Sequence, residues 1–396
     1  MKKVAYISSP NFADCDMPLL HELQQQADIT YILELSERGK SRTLVNVKKL
    51  KWWGGVYPAT DYPDLQNLSP YIDLSKAYVL NMPGKHDWSP RNLLAVIRLV
   101  IFLLRHHFGI LHLTWPPRYG AFFTYILHRR MILTVHDPLP HSSEDTRLNR
   151  LHRKMAMRLI KHFILLNQCQ RTAFIQHYGL REEQVFNSRL SIYTHLQSTV
   201  PVLPPYQDYV LFIGSINTHK GVEYLCHAMQ QVHTWNANAK LVVAGSGKMY
   251  FDATPYLSTN ERSQEGTGFM ELHNLYLSDA ELAGFIRHAA FVVCPYIDAT
   301  QSGVIMSAFA LNTPVIATDV GGLPEMVEHE RHGLIVPAKD VQALSSAIER
   351  LLAEPHLLQQ MRENILADYG TGTRSWHKIA CDFVNIYCII SDSPKP

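Results

Sequence analysis

Pro295-Tyr296-Ile297-Asp298-Ala299-Thr300-Gln301-Ser302-Gly303-Val304-Ile305, followed by Thr313-Pro314-Val315-Ile316-Ala317-Thr318-Asp319-Val320-Gly321-Gly322-Leu323-Pro324-Glu325, is the stretch on which the fold turns. The apolar run Phe291–Cys294 ahead of it reads as a strand, Val304–Leu311 as a helix and Thr313–Ala317 as a second strand. A loop that closes on Ser-Gly immediately before a helix leaves free backbone N–H groups at that helix's N-terminus, where an anion is favoured. The Gly321-Gly322 turn lets backbone come close to a ligand, although an isolated Gly-Gly pair more often makes only a tight turn.

The same alternation extends in both directions. Strand-like runs occur at Val4–Ser8, Ile29–Leu33, Ala77–Leu80, Ile110–Leu113, Met131–Val135, His162–Leu166, Val210–Ile213 and Lys240–Ala244, with helix-periodic segments between them. The class is α/β, doubly wound, with parallel sheets. Periodicity stops between Tyr193 and Tyr209, where Thr199-Val200-Pro201-Val202-Leu203-Pro204-Pro205-Tyr206 reads as a semi-rigid linker. The expected organisation is an N-terminal Rossmann-like domain over 1–198, a linker over 199–208, a C-terminal Rossmann-like domain over 209–374, and a helix within 375–396 that crosses back to the first domain. Leu93–Leu104 is the most lipid-like segment, but Arg98 interrupts it and it is shorter than the roughly 20 residues a span needs, so it reads as a buried helix.

Composition narrows the function. The chain has 396 residues, 46% hydrophobic and 18% charged, so it can bury its own cores without disulfides. Lys and Arg number 37 against 35 Asp and Glu, which leaves no global electrostatic case for nucleic acid as a partner. The six cysteines form no C-x-x-C pair and read as reduced thiols, and Val4–Ser8 suits a buried strand better than a signal sequence; a cytoplasmic location is expected.

Two more segments carry chemistry. Strand Val210–Ile213 runs into Gly214-Ser215-Ile216-Asn217-Thr218-His219-Lys220-Gly221, which sets Lys220 at the carboxyl end of a strand, where open sheets bind ligands. Ala244-Gly245-Ser246-Gly247-Lys248 looks like a phosphate loop but fails that pattern, because Val242 stands at the first glycine position and Met249 at the hydroxyl position.

In this order, Phe212-Ile213-Gly214 with Lys220-Gly221-Val222, Val243 to Gly247, Pro295 to Gly303, and Thr313 to Glu325 with Gly333-Leu334-Ile335-Val336 resemble the retaining glycosyltransferases of family 4, of exopolysaccharide or lipopolysaccharide type. The first half resembles them more loosely, through Phe108 to His112 and Ile132 to Asp137. The resemblance implies a GT-B fold, two Rossmann-like domains facing across a cleft, with a nucleotide diphosphate sugar on the second domain. A hexosyl unit would pass to a glycan or lipid-linked saccharide in polysaccharide biosynthesis. It also implies no metal and no cofactor, the diphosphate being neutralised by protein cations and helix-end amides.

The residues assigned through the resemblance are Lys220, Asp298 and His136 for catalysis. Gly214, Ser215, Lys220, Gly245, Gly247, Gln301, Ser302, Gly303, Val304 and Ser307 are assigned to the donor. Two departures from the family stand out. Ser215 occupies the position of a usual Arg, and Ala299 and Ser307 occupy the positions of the paired glutamates, with Asp298 one residue from the first of them. Two alternatives follow: a nucleotide-sugar epimerase of the same fold, or a catalytically degenerate relative retained as a binding partner. Finally, 147–161 is basic with Leu148, Leu151, Met155 and Leu159 on one stripe. It reads first as a solvated helix face and otherwise as a peripheral contact with anionic membrane.

Overall fold

The computed structural model describes residues 2–86, 88–115, 131–138, 147–258 and 268–392. Contacts divide the chain into two units: residues up to Arg189 together with the C-terminal helix Trp376–Asp392, and Leu190–Ser375. Leu190 therefore opens the second unit, ahead of the Pro-rich segment. That segment packs on the second unit, where Val202 N–H donates to Ala280 O at 2.9 Å and Gly284 lets Val202 O approach to where a Cβ would stand.

The first unit is built on an eight-stranded sheet. Its strands are β1 (Val4–Ser8), β2 (Ile29–Ser36), β5 (Gly55–Pro58), β6 (Ala77–Met82), β7 (Ile110–Leu113), β8 (Met131–Val135), β9 (His162–Leu165) and β10 (Val185–Asn187), in the order β10-β9-β8-β7-β1-β2-β6-β5. The short pair β3 (Ser41–Arg42) and β4 (Val45–Asn46) forms a separate antiparallel ribbon. All pairings in the large sheet are parallel except β5 on β6, at the edge, where the proline ending β5 costs no central hydrogen bond. Every residue of β1 is buried, as a strand covered on both faces requires.

Two helices matter below. Pro90–Arg105 starts at Ser89, whose hydroxyl accepts from Asn92 N–H, and it buries Ala95, Val96, Leu99, Val100 and Leu103. The sequence reading of a buried helix is half right: Leu93, Ile97, Ile101 and Leu104 are exposed. The C-terminal helix packs on helix Ala13–Gln26, and Tyr387 hydroxyl lies 2.6 Å from buried His112 Nδ1.

The second unit holds six parallel strands: β11 (Tyr209–Ile213), β12 (Leu241–Ala244), β13 (Met270–His273), β14 (Ala289–Cys294), β15 (Val315–Thr318) and β16 (Gly333–Val336). Their order is β13-β12-β11-β14-β15-β16, so the chain winds outward one way from β11 and then the other way from β14. The crevice for a ligand in such a sheet lies outside the carboxyl ends of the two strands where the winding reverses. Here those ends are Ile213 and Cys294.

Candidate functional site

Three loops meet at this reversal. The first follows β11. Gly214 sits at φ +126°, and its N–H donates to Ala244 O at 3.0 Å. A Cβ on it would lie 3.3 Å from Val304 Cγ2, in the first turn of the helix Gly303–Ala310. A side chain at Gly214 would crowd that helix, and its positive φ already favours glycine. Ser215 is exposed and its hydroxyl accepts from Asn217 Nδ2 at 3.3 Å. Asn217 Oδ1 is buried with no hydrogen-bond partner among the described residues, a feature the sequence reading did not single out.

Lys220 closes this loop. Its Nζ lies 3.6 Å from the centroid of the Tyr296 ring, and burial holds the ammonium below the usual lysine range. It makes no ion pair among the described residues. Gly221, at φ +64°, leaves room for Pro295 O at 2.0 Å from where its Cβ would stand, and Ile297 N–H donates to His219 O at 2.8 Å. The Lys220 turn is thereby fixed to the loop after β14.

That second loop leads into the helix start. Tyr296 is buried, its carbonyl accepts from Thr318 Oγ1 at 2.7 Å, and its hydroxyl lies 3.3 Å from Ser302 Oγ. Ser302 caps the helix Gly303–Ala310, its hydroxyl accepting from Ile305 N–H at 3.4 Å. The N–H groups of Gly303 and Val304 lie in the first turn, and Gly303 is exposed. Gln301 is half-buried beside them, and Asp298 is exposed in the same loop. Ser307 is buried and donates to Gly303 O at 3.0 Å, so its hydroxyl proton is used within its own helix.

The third loop follows β12. Gly245 and Gly247 admit backbone where a Cβ would stand, Gly214 O at 1.9 Å and Ile216 O at 2.1 Å. Their small size serves loop packing: Ile216 N–H donates to Ser246 O at 3.0 Å, continuing the strand pairing past β11 and β12. Gly321 is used in the same way. At φ +52°, with Ala299 O 1.6 Å from its absent Cβ, it admits the loop that carries Asp298.

His136 stands on the first unit, at the end of β8. Its ring stacks on Phe12 with centroids 4.2 Å apart, and Phe12 in turn stacks on Trp115 at 6.0 Å. His136 Nε2 is buried with no partner among the described residues. Burial pushes the imidazole down to about 4, so it is neutral at pH 7. The sequence contains one D-x-D triplet, Asp14-Cys15-Asp16, and it lies in helix Ala13–Gln26. The Asp16 carboxyl is taken by Tyr6 and Ser8 hydroxyls. Glu328, His332 and Asp368 group closely enough to invite a metal reading. Arg331 already bonds Asp368 through two nitrogens at 2.7 and 2.8 Å, and His332 Nε2 lies 2.7 Å from the same carboxylate, so the Asp368 oxygens are already engaged. Among the described residues, no helix is long and apolar enough to cross a membrane. Of the basic segment at 147–161, side chains before Arg153 lie outside the described residues.

Residues 207–354 match the family described as Glycosyl transferases group 1. An uncharacterized glycosyltransferase of Methanocaldococcus jannaschii is 30% identical over 186 residues, 46% of this chain and 44% of that protein. Alpha-maltose-1-phosphate synthase of Mycolicibacterium smegmatis is 28% identical over 194 residues, 46% of this chain and 48% of that protein. The chain thus spans about half the length of the curated relatives it matches. Among solved structures, Anabaena HepE in complex with UDP superposes with a TM-score of 0.64 at 16% identity, covering 98% of this chain and all of that one. Sucrose-phosphate synthase of Thermosynechococcus elongatus gives 0.64 at 18% identity, with both chains fully covered. The fold is GT-B, with two Rossmann-like units.

Proposed function

We propose that this chain is a retaining, metal-independent glycosyltransferase that moves a hexosyl unit from a nucleotide diphosphate sugar to a glycan or lipid-linked saccharide. One observation carries the reading. At the winding reversal of the second sheet, a lysine without an ion-pair partner among the described residues is held against Tyr296, which meets the cap of a helix whose first residue, Gly303, is exposed. A cation and a helix N-terminus side by side suit a diphosphate.

In this reading Lys220 and the N–H groups of Gly303 and Val304 neutralise the diphosphate, and Lys220 stabilises the charge that grows on it as the sugar departs. Gly214, Ser215, Gln301 and Ser302 line the same place. Gly245, Gly247 and Ser307 support it from behind. This reading assigns to the sugar the neutral His136, whose Nε2 has no partner among the described residues, and Asp298, the carboxylate of loop 295–302. The match of residues 207–354 to a glycosyltransferase family and the UDP bound by HepE support a nucleotide sugar as donor.

The test is calorimetric titration of the protein with UDP-, GDP- and dTDP-sugars, followed by product analysis with and without saccharide acceptors. Binding of one donor with transfer to an acceptor is expected. Absence of binding to every donor overturns the reading, and conversion of a donor without any acceptor replaces it by an epimerase.

A further inference from the structure

The helix Pro90–Arg105 leaves an apolar ridge uncovered. Leu93, Ile97, Ile101 and Leu104 recur at helical spacing and are 42% to 54% exposed. Large apolar side chains on one exposed stripe are uncommon on a surface with no partner. Beside the ridge, Arg91, Arg98 and Arg105 recur every seven residues along the same helix. None makes an ion pair among the described residues, and the whole segment 88–107 contains no Asp or Glu.

The ridge is widened by tryptophans. Trp88, just before the helix, is 70% exposed, and Trp52 and Trp53 are 69% and 58% exposed. The Trp52 loop is bound to the helix. Arg91 lies 4.3 Å above the Trp52 ring, Arg98 Nη1 donates to Gly54 O at 2.8 Å, and Gly54 admits Arg91 O at 1.9 Å from where its Cβ would stand. This loop continues the bias, since 47–58 contains Lys48, Lys49 and Lys51 and no carboxylate. Lys51 is paired with Asp61. Between the helix and β5 lies a groove of about 430 Å³, lined by Gly55, Val56, Tyr57, Ile101 and Phe102, with Arg98, Arg105 and His106 also on its wall.

We propose that this face of the first unit docks on an anionic lipid bilayer, the Leu/Ile ridge and the three tryptophans entering the interface and the arginine row meeting lipid phosphates, with the groove beside β5 taking one headgroup. Tryptophan at headgroup depth, apolar side chains below it and Arg at the flank form the pattern of a helix lying in a membrane surface. The charge selects the occupant: a second protein surface would have to be both apolar and strongly acidic, whereas an anionic bilayer is both everywhere. This surface is distinct from the basic segment at 147–161 and independent of the donor site on the second unit.

The test is flotation of the full chain with vesicles of phosphatidylcholine alone or with roughly 30% phosphatidylglycerol, with intrinsic tryptophan emission recorded alongside. Flotation with the anionic vesicles only, a blue shift, and weakening when salt rises from about 0.1 to 0.5 M are expected. The variant Ile97→Glu/Ile101→Glu should bind at least 10-fold more weakly, and Arg98→Gln/Arg105→Gln several-fold more weakly. Both should keep the wild-type circular dichroism. Lys154→Gln/Arg158→Gln, on the other basic helix, should bind as wild type. Four results overturn the proposal: no flotation; equal flotation of wild type and the Ile97/Ile101 variant; loss only in the Lys154/Arg158 variant; or a concentration-dependent dimer that Ile97→Glu/Ile101→Glu abolishes, which would assign the face to self-association.

Discussion

The ammonium of Lys220 lies 3.6 Å from the centroid of the Tyr296 ring, and the hydroxyl of that ring lies 3.3 Å from the oxygen that caps the helix Gly303–Ala310. A cation and a helix N-terminus from two different loops are thus held by one aromatic side chain. Because Ser215 supplies no second cation, Lys220→Ala should weaken nucleotide diphosphate binding strongly. A charge-assisted hydrogen bond is worth about 1.5–3 kcal/mol, so the loss should be about 10- to 150-fold, with nucleoside binding little changed. Calorimetry on wild type and variant measures it, and equal affinities would remove Lys220 from the site.

Glycines 221 and 179 share nearly the same backbone conformation, φ +64° and +65°, in very different surroundings. A Cβ on Gly179 meets nothing within 4 Å, whereas one on Gly221 would fall 2.0 Å from Pro295 O. Gly179→Ala should therefore cost only the left-handed strain of about 1–2 kcal/mol. Gly221→Ala adds a backbone clash that displaces the Lys220 turn from Tyr296, so it should cost more than Gly179→Ala and also weaken donor binding. Denaturant titration of both variants with calorimetry on the folded protein separates the two effects.

What could be read in the sequence followed from burial. Central strands such as β1, β8 and β11 are covered on both faces, so their apolar runs are continuous and their ends fall within a few residues of the expected ones. The strands with no such run, β5, β10 and β13, are sheet edges, and in β13 only Met270 is buried. That Lys220 follows β11, and Ser302 and Gly303 follow β14, could be read from the apolar runs that precede them. The uses of Gly245, Gly247 and Gly321 could not, since a glycine looks the same in sequence whether backbone or ligand approaches it. The exposed ridge of Pro90–Arg105 was hidden too, because Leu and Ile on both faces give a helix no pattern that says which face is wet.

Asp16 is a buried carboxyl whose proton the fold retains. Burial raises it to about 7 from an ordinary 3.8, against the opposing help of the Ser8 and Tyr6 hydroxyls. Between these two values Asp16 holds in the folded chain a proton that it has lost in the unfolded chain. Its contribution to stability is therefore fully present below pH 3.8 and is lost as pH rises through 7. Asp16→Asn removes that dependence. The stability of the variant relative to wild type should rise across the window from about pH 4 to 7, by up to about 1.4 kcal/mol per pH unit. Buried His112 and His136 act with the opposite sign in both proteins, so the difference isolates Asp16. Denaturant midpoints at several pH values give the slope, and a flat difference would mean that the carboxyl titrates normally.

Tyr387→Phe tests how the C-terminal helix is anchored. His112 is fully buried between two hydroxyls, Tyr387 at 2.6 Å from Nδ1 and Thr134 at 2.6 Å from Nε2, and burial pushes its imidazole down to about 3. A neutral imidazole has one donor and one acceptor, so each hydroxyl satisfies one ring nitrogen. Removing the Tyr387 hydroxyl keeps the aromatic packing but leaves a buried nitrogen without a partner, at a cost of about 1–3 kcal/mol. The loss should appear as faster amide exchange in the helix Trp376–Asp392 and in β7, which carries His112. The strands of the second unit should exchange as before, and nucleotide diphosphate affinity should be unchanged. Unaltered exchange in the C-terminal helix would show that its packing on helix Ala13–Gln26, rather than the hydroxyl pair at His112, holds it in place.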